Sequence, residues 1–192
     1  MDKQRFINLL AAIAAITVFG FTFGLMFPLL SLIQESRGIP SWLIGVNSAL
    51  HPLGIVISVF AIPYLVRRFG ARNAVIGAGL LTAAVIVTYP FFEIFPWWFG
   101  LRVLQGFFVS ILFAISEAWI VKFAAGPWRT RILGIYSAIL ALSFGIGPAL
   151  ITVTGIEGAL PFIVGAVILL IAIIPVFFVQ DAAVDSADER PL

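Results

Sequence analysis

A chain of 192 residues that is 62% hydrophobic and only 10% charged, with a mean hydropathy of +1.16, is an integral membrane protein, because soluble domains carry about 25% charged residues. Its formal net charge is +2 and its basic residues form no single patch, so the basic balance does not point to nucleic acid. With no cysteine and a single histidine, it offers no disulfide, no thiolate nucleophile and no metal-ligating cluster; neither a cofactor nor a metal is expected, and an intramembrane enzyme lacks its machinery.

Pro, Gly and charged residues divide residues 1–180 into six apolar spans, roughly 6–31, 42–66, 73–95, 97–122, 131–154 and 160–179. The opening MDKQR followed by FINLLAAIAAI has the look of a signal peptide, but the apolar run continues to Ile33, a length that favours an uncleaved span. Lys3 and Arg5, then Arg67, Arg68 and Arg72, then Lys122, Arg129 and Arg131 fall on one side of the membrane. Arg37 stands on the other with Glu35, Glu93 and Glu157, which places both termini in the cytoplasm. Trp42, Trp97, Trp98, Trp119 and Trp128 lie near span ends, where amphipathic rings favour the interface.

The first span carries Thr17, Gly24 and Ser31 on one stripe, with Pro28 as an expected kink. The second places Asn47, His51, Gly54 and Ser58 on one face. The third holds only Thr82, Thr88 and Tyr89 as polar groups and the sixth holds none, so both are expected outside, against lipid. The fifth aligns Tyr136, Ser143 and Gly147. Spans one, two, four and five are therefore expected to line an interior, with Gly20, Gly24, Gly106, Gly134 and Gly145 allowing close backbone approach.

The fourth span organises the rest. Arg102, Gln105, Gly106, Ser110, Phe113 and Glu117 share one side of it. A charge in hydrocarbon costs roughly 2.5–3.5 kcal/mol on insertion scales, so this side faces protein or a water-filled cavity. Arg102 and Glu117 are about 22 Å apart along a helix and cannot pair with each other. Two polar-faced spans followed by an apolar one, occurring twice, fit a three-plus-three inverted repeat of the kind found in secondary transporters. Residues 181–192 read as a short acidic tail or as the start of a linker.

These residues resemble the major facilitator superfamily, and specifically its N-terminal six-helix half. The loop PYLVRRFGARNAV is similar to the family's cytoplasmic signature at Arg68, Gly70 and Arg72, with Arg67 where the acidic residue belongs and Ala71 for the next arginine. Arg102-Val-Leu-Gln105-Gly106 matches the Arg-x-x-Gln-Gly signature associated with proton coupling. Ser116-Glu117-Ala118-Trp119 resembles a sugar or drug efflux branch, and Gly145-Ile-Gly147-Pro148 is similar to the antiporter bend, with Ser143 at the upstream glycine position. The resemblance implies an all-α membrane protein, half of a twelve-helix transporter fold. It implies proton-coupled efflux of a small molecule by alternating access, in a bacterial inner (plasma) membrane.

Glu117 is either a protonatable carrier or a hydrogen-bond partner for Tyr136 or Arg131. Arg102 keeps its proton, so its role is electrostatic, toward an anionic group, or else it packs and snorkels. His51, one turn from Asn47, either binds substrate or forms an interhelical hydrogen bond. The polar stripes are expected to face a second six-helix half, a copy of this chain or another chain, within the lipid bilayer. The competing reading is a non-transporting half-transporter fragment or membrane scaffold that needs a partner chain.

Overall fold

A computed structural model describes residues 3–92, 95–124 and 126–179; the expectations for Glu93 and for the 181–192 tail lie outside them. The described chain forms six helical segments long and apolar enough to cross a membrane, the third and sixth counting the 3-10 turns that follow them. They are α1 (Lys3–Ser36), α2 (Ser41–Phe69), α3 (Ala71–Thr88), α4 (Phe95–Phe123), α5 (Arg129–Thr154) and α6 (Leu160–Ala172). A helix satisfies every backbone group within its own segment, which is what an apolar run of this length needs in lipid. α3 stops short of the expected residue 95 and gives way to a 3-10 turn at Tyr89–Phe91, because Pro90 supplies no backbone N–H. α6 likewise passes into a 3-10 turn at Ile174–Phe178, around Pro175. The helices run unbroken through Pro28, Pro52, Pro63 and Pro148.

Gly70 alone separates α2 from α3, with φ 79° and ψ 154°, a conformation essentially confined to glycine. This explains the glycine of the loop signature. Gly70→Ala is expected to lower stability by about 1–3 kcal/mol, read as a fall in the thermal midpoint of the protein in detergent. In the same loop Arg72 donates to the Phe177 carbonyl and ties the start of α3 to the end of the α6 segment, whereas Arg68 stays exposed. Arg5 similarly donates to the Phe123 carbonyl, 3.0 Å away, at the end of α4. Both arginines thus sit where the carbonyls of a helix end attract a cation.

The expected division of helices is corrected in one respect. α1 is the most enclosed, with 72% of its apolar window buried, followed by α4 at 56%, α3 at 50% and α6 at 39%, while α2 and α5 bury only 17%. α1 and α4 form the centre, α3 and α6 cover one side of them, and α2 and α5 clasp the flanks. α3 is not a peripheral lipid helix, because Ala71, Ala78, Gly79 and Ala83 let it approach closely and its Thr82 hydroxyl is satisfied by the Ala78 carbonyl at 2.7 Å.

A second correction concerns the polar stripes. Asn47, His51, Gly54 and Ser58 are the buried face of α2, which packs on α4; Tyr136, Ser143 and Gly147 belong to the buried face of α5, which packs on α1. The outer faces carry Val56, Val59 and Phe60 on α2 and Leu142, Ile146 and Val153 on α5. The stripes are therefore buried inside this bundle, against α4 and α1, rather than turned to its outer surface.

The three-plus-three repeat is visible in the packing. Exchanging α1 with α4, α2 with α5 and α3 with α6 turns the α1–α5 pair into α4–α2, and the α6–α1 contact into α3–α4. The glycines repeat with it. A Cβ on Gly54 or Gly106 would strike the backbone of Val103 or His51, and a Cβ on Gly24 or Gly147 would strike Phe144 or Gly24. Gly24, Gly106 and Gly20 thus do what was expected, Gly54 and Gly147 join them, and Gly134 and Gly145 have nothing within 4 Å. Trp98 and Trp119 are each 2% exposed, packed in the bundle rather than at an interface, whereas Trp42, Trp97 and Trp128 are exposed.

Candidate functional site

The glycine crossings decide where the polar side chains meet. Because Gly54 and Gly106 bring α2 and α4 into backbone contact, His51 lies one turn before the crossing on α2, and Arg102 and Gln105 lie just before it on α4. α1 ends and α3 ends at the same end of the bundle, delivering Gln34 and Tyr89 to this level. There Asn47, His51, Gln34, Arg102, Gln105 and Tyr89 are all fully buried.

Gln105 is the hub. Its Oε1 accepts from the Tyr89 hydroxyl at 3.2 Å and from Nη1 of Arg102 at 3.4 Å. Gln34 donates through Nε2 to Oδ1 of Asn47 at 3.1 Å, which links α1 to α2. The Arg102 guanidinium lies over the face of Phe27, 4.5 Å from the ring centre. The same ring meets His51 edge-on at 5.2 Å, and Phe23 meets His51 at 5.6 Å. Arg102 therefore finds its nearest partners on its own helix and on an aromatic face of α1. Among the described residues, Arg102 Nε and Nη2, both nitrogens of His51, Asn47 Nδ2 and Gln105 Nε2 have no hydrogen-bond partner. Buried polar groups are ordinarily satisfied, so this concentration of orphans makes the cluster the candidate site.

Tyr89 is held by Trp98, whose ring meets it edge-on at 5.6 Å, and by Phe162, stacked at 6.0 Å. On the far side of Trp98 a pocket of about 260 Å³ opens between Ile33, Arg37, Pro90 and Phe162, with Arg37 over the Trp98 ring at 5.2 Å. Trp98 and Phe162, which line this pocket, are thus also the rings that hold Tyr89 in the Arg102 cluster.

The other predicted residues lie elsewhere. Ser58 and Ser110 join hydroxyls across α2 and α4. Further along α4, the Tyr136 hydroxyl on α5 is 2.9 Å from that of Ser116 and within hydrogen-bonding reach of the Glu117 carboxyl. Of the two partners foreseen for Glu117, Tyr136 is engaged there, while Arg131 lies over the Trp128 ring at 5.5 Å. Gly147 takes its place at the α1–α5 crossing, and Gly145 and Pro148 are exposed. The structure therefore brings Asn47, His51, Arg102 and Gln105 together and keeps Glu117 and Tyr136 apart from them.

Sequence reasoning missed Gln34, Phe27 and the role of Tyr89. A signal existed for two of them. Gln34 continues the Gly24 and Ser31 stripe by one turn, and Tyr89 repeats Thr82 at a seven-residue spacing. Phe27 carried none, because an aromatic in an apolar span is ordinary.

The chain is 28% identical over 171 residues to an uncharacterized MFS-type transporter, YfkF, of Bacillus subtilis (strain 168), an alignment covering 87% of this chain and 43% of that protein. The chain thus spans less than half the length of this relative. No solved structure matches it. The model of the Major Facilitator Superfamily matches residues 12–191, so this six-helix bundle with its inverted triplets and buried Arg102 belongs to the Major Facilitator Superfamily.

Proposed function

We propose that this six-helix unit works as one half of a secondary active transporter, exporting a small molecule by alternating access against a second six-helix unit, with proton coupling. The observation that carries this reading is Arg102, a permanently charged side chain that is wholly buried and has two nitrogens unpartnered among the described residues. A scaffold gains nothing from a buried cation, whereas a transport path uses one to attract and release an anionic group. The inverted repeat supports a rocking bundle. The concentration of Arg67, Arg68, Arg72, Arg129 and Arg131 at one end supports cytoplasmic termini. A bacterial plasma membrane is the setting of this reading, in keeping with a relative from Bacillus subtilis.

Glu117 is the proton carrier in this scheme. It is half-buried on α4 and faces the Tyr136 hydroxyl, so gain or loss of its proton changes the contact between α4 and α5. In vesicles containing the assembled protein, an imposed pH gradient is expected to drive substrate movement, and Glu117→Gln is expected to abolish it while sparing exchange without a gradient. Unchanged gradient-driven flux in this variant overturns the assignment. The non-transporting reading is favoured by Arg67, which stands where the family's loop signature carries an acid. Wild-type protein that moves no substrate under any gradient decides for it.

A further inference from the structure

The half-buried surface beside the Arg102 cluster is aromatic. On α1, Phe19, Phe23 and Phe27 follow one another by single turns, Phe23 and Phe27 stacking at 4.2 Å. Phe113 of α4 packs on Phe19 at 4.8 Å, and Phe144 of α5 meets Phe23 edge-on at 5.4 Å. Phe113 is 37% exposed and the others are partly so. None of these rings needs to be exposed for the fold, since α1 already buries its opposite face against α6 and the core.

Directly behind Phe27 lie the orphaned donors. Arg102 and His51 have no exposed surface, and Phe27 packs on both, its face under the Arg102 guanidinium and its plane at 80° to the His51 ring. Within this cluster the unpartnered donors are Arg102 Nε and Nη2, Asn47 Nδ2, Gln105 Nε2 and one ring nitrogen of a neutral His51, against two free acceptors, the other His51 nitrogen and Gln34 Oε1. Swapping the ends of an amide moves a donor without removing it. A site with such an excess of donors around one guanidinium is complementary to a monoanion, and a guanidinium fork fits a planar carboxylate best. The rings next to it are complementary to an apolar or aromatic body.

We propose that this is the recognition site for an amphipathic organic monoanion, whose carboxylate displaces the Phe27 ring to reach Arg102 while its apolar body lies on Phe19, Phe23 and Phe113. The proposal rests on the transporter reading of the same cluster and adds its substrate class. Charge selects the ligand at Arg102, and the phenylalanines select its size. Phe27 is the lid, because it is the ring that stands between the donors and the open face.

The test is equilibrium binding to the purified full chain in lipid nanodiscs, which needs no transport to succeed. Benzoate is the probe and benzamide, nearly isosteric but neutral, is the control. Saturable benzoate binding is expected, tighter than that of benzamide by about tenfold or more, the worth of a charge-assisted hydrogen bond. Arg102→Gln is expected to erase this preference. Should that variant not fold, competition in the wild type replaces it: phenylacetate is expected to displace benzoate and phenylacetamide is not. Equal affinity for benzoate and benzamide, no binding, or equal displacement by the two competitors overturns the proposal. Glu93→Gln separates a further source of negative charge. If benzoate binds only after this change, the donors serve a carboxylate of the protein itself and the proposal is wrong. Binding without any flux would leave the site standing and remove the transporter reading instead.

Discussion

Replacing Gly106 by alanine is expected to lower stability by at least about 3 kcal/mol, the upper range for overpacking, although the change adds only one methyl group. The added Cβ would meet the carbonyl oxygen of His51, and backbone cannot rotate aside as a flexible side chain does. α2 must therefore move away from α4, which loosens one of the two most extensive helix pairings in the bundle. The repeat predicts the same result at its counterpart: Gly24→Ala would collide with the Phe144 carbonyl and part α1 from α5. Controls come from α5, the helix that Gly24 meets. Its Gly134 and Gly145 have nothing within 4 Å, so alanine there is expected to be neutral or to stabilise by up to about 1 kcal/mol through helix propensity. Thermal unfolding of the four variants in one detergent checks all of these values. Equal effects at Gly106 and Gly134 would mean that the crossing is not the tight packing described. Gly106→Ala is also expected to weaken benzoate binding, since it displaces His51 relative to Arg102.

The second large effect separates stability from function. Arg102→Met is expected to raise stability by about 1–4 kcal/mol while abolishing anion binding and flux. A buried cation loses its hydration on folding, and this one recovers only one long hydrogen bond at 3.4 Å and the face of Phe27. Methionine fills similar space with no charge to desolvate. The hub does not collapse, because Gln105 still accepts from Tyr89 at 3.2 Å. The comparison is made on one preparation, with unfolding midpoint and benzoate binding measured side by side. A stabilised protein that no longer binds is the expected outcome. A destabilised one would show that the guanidinium holds α4 to α1 through Phe27, making it a structural group. The cost carried by the wild-type residue is the kind of local penalty that proteins keep at functional sites.

How these two positions were found differs. Arg102 was legible from sequence, since one charge in an apolar stretch stands out and the period of a helix places Gln105 and Gly106 beside it. The glycines were legible only as a set: of those named in advance Gly20, Gly24 and Gly106 lie in tight contacts and Gly134 and Gly145 do not, because which side of a helix meets a neighbour is not written in the helix itself. The same limit explains the polar stripes. Asn47, His51 and Ser58 were correctly placed on one face, but the direction of that face, into the bundle and onto α4, follows from where Gly54 allows close approach. Counting polar groups likewise misplaced α3, whose close packing depends on small residues rather than on polarity.

The sequence by itself determined the membrane class and the presence of six long apolar helices, because apolar length and helix-breaking residues act locally. It also determined which residues share a helix face, since that follows from a fixed angular period. Only the tertiary structure decided that α1 and α4 are central, that Gln34, Tyr89 and Phe27 complete the Arg102 cluster, and that Glu117 meets Tyr136. Those outcomes depend on the rotation of each helix about its axis and on interhelical distance. Both are set jointly by small residues on two different helices, a property of pairs that no single stretch of sequence contains.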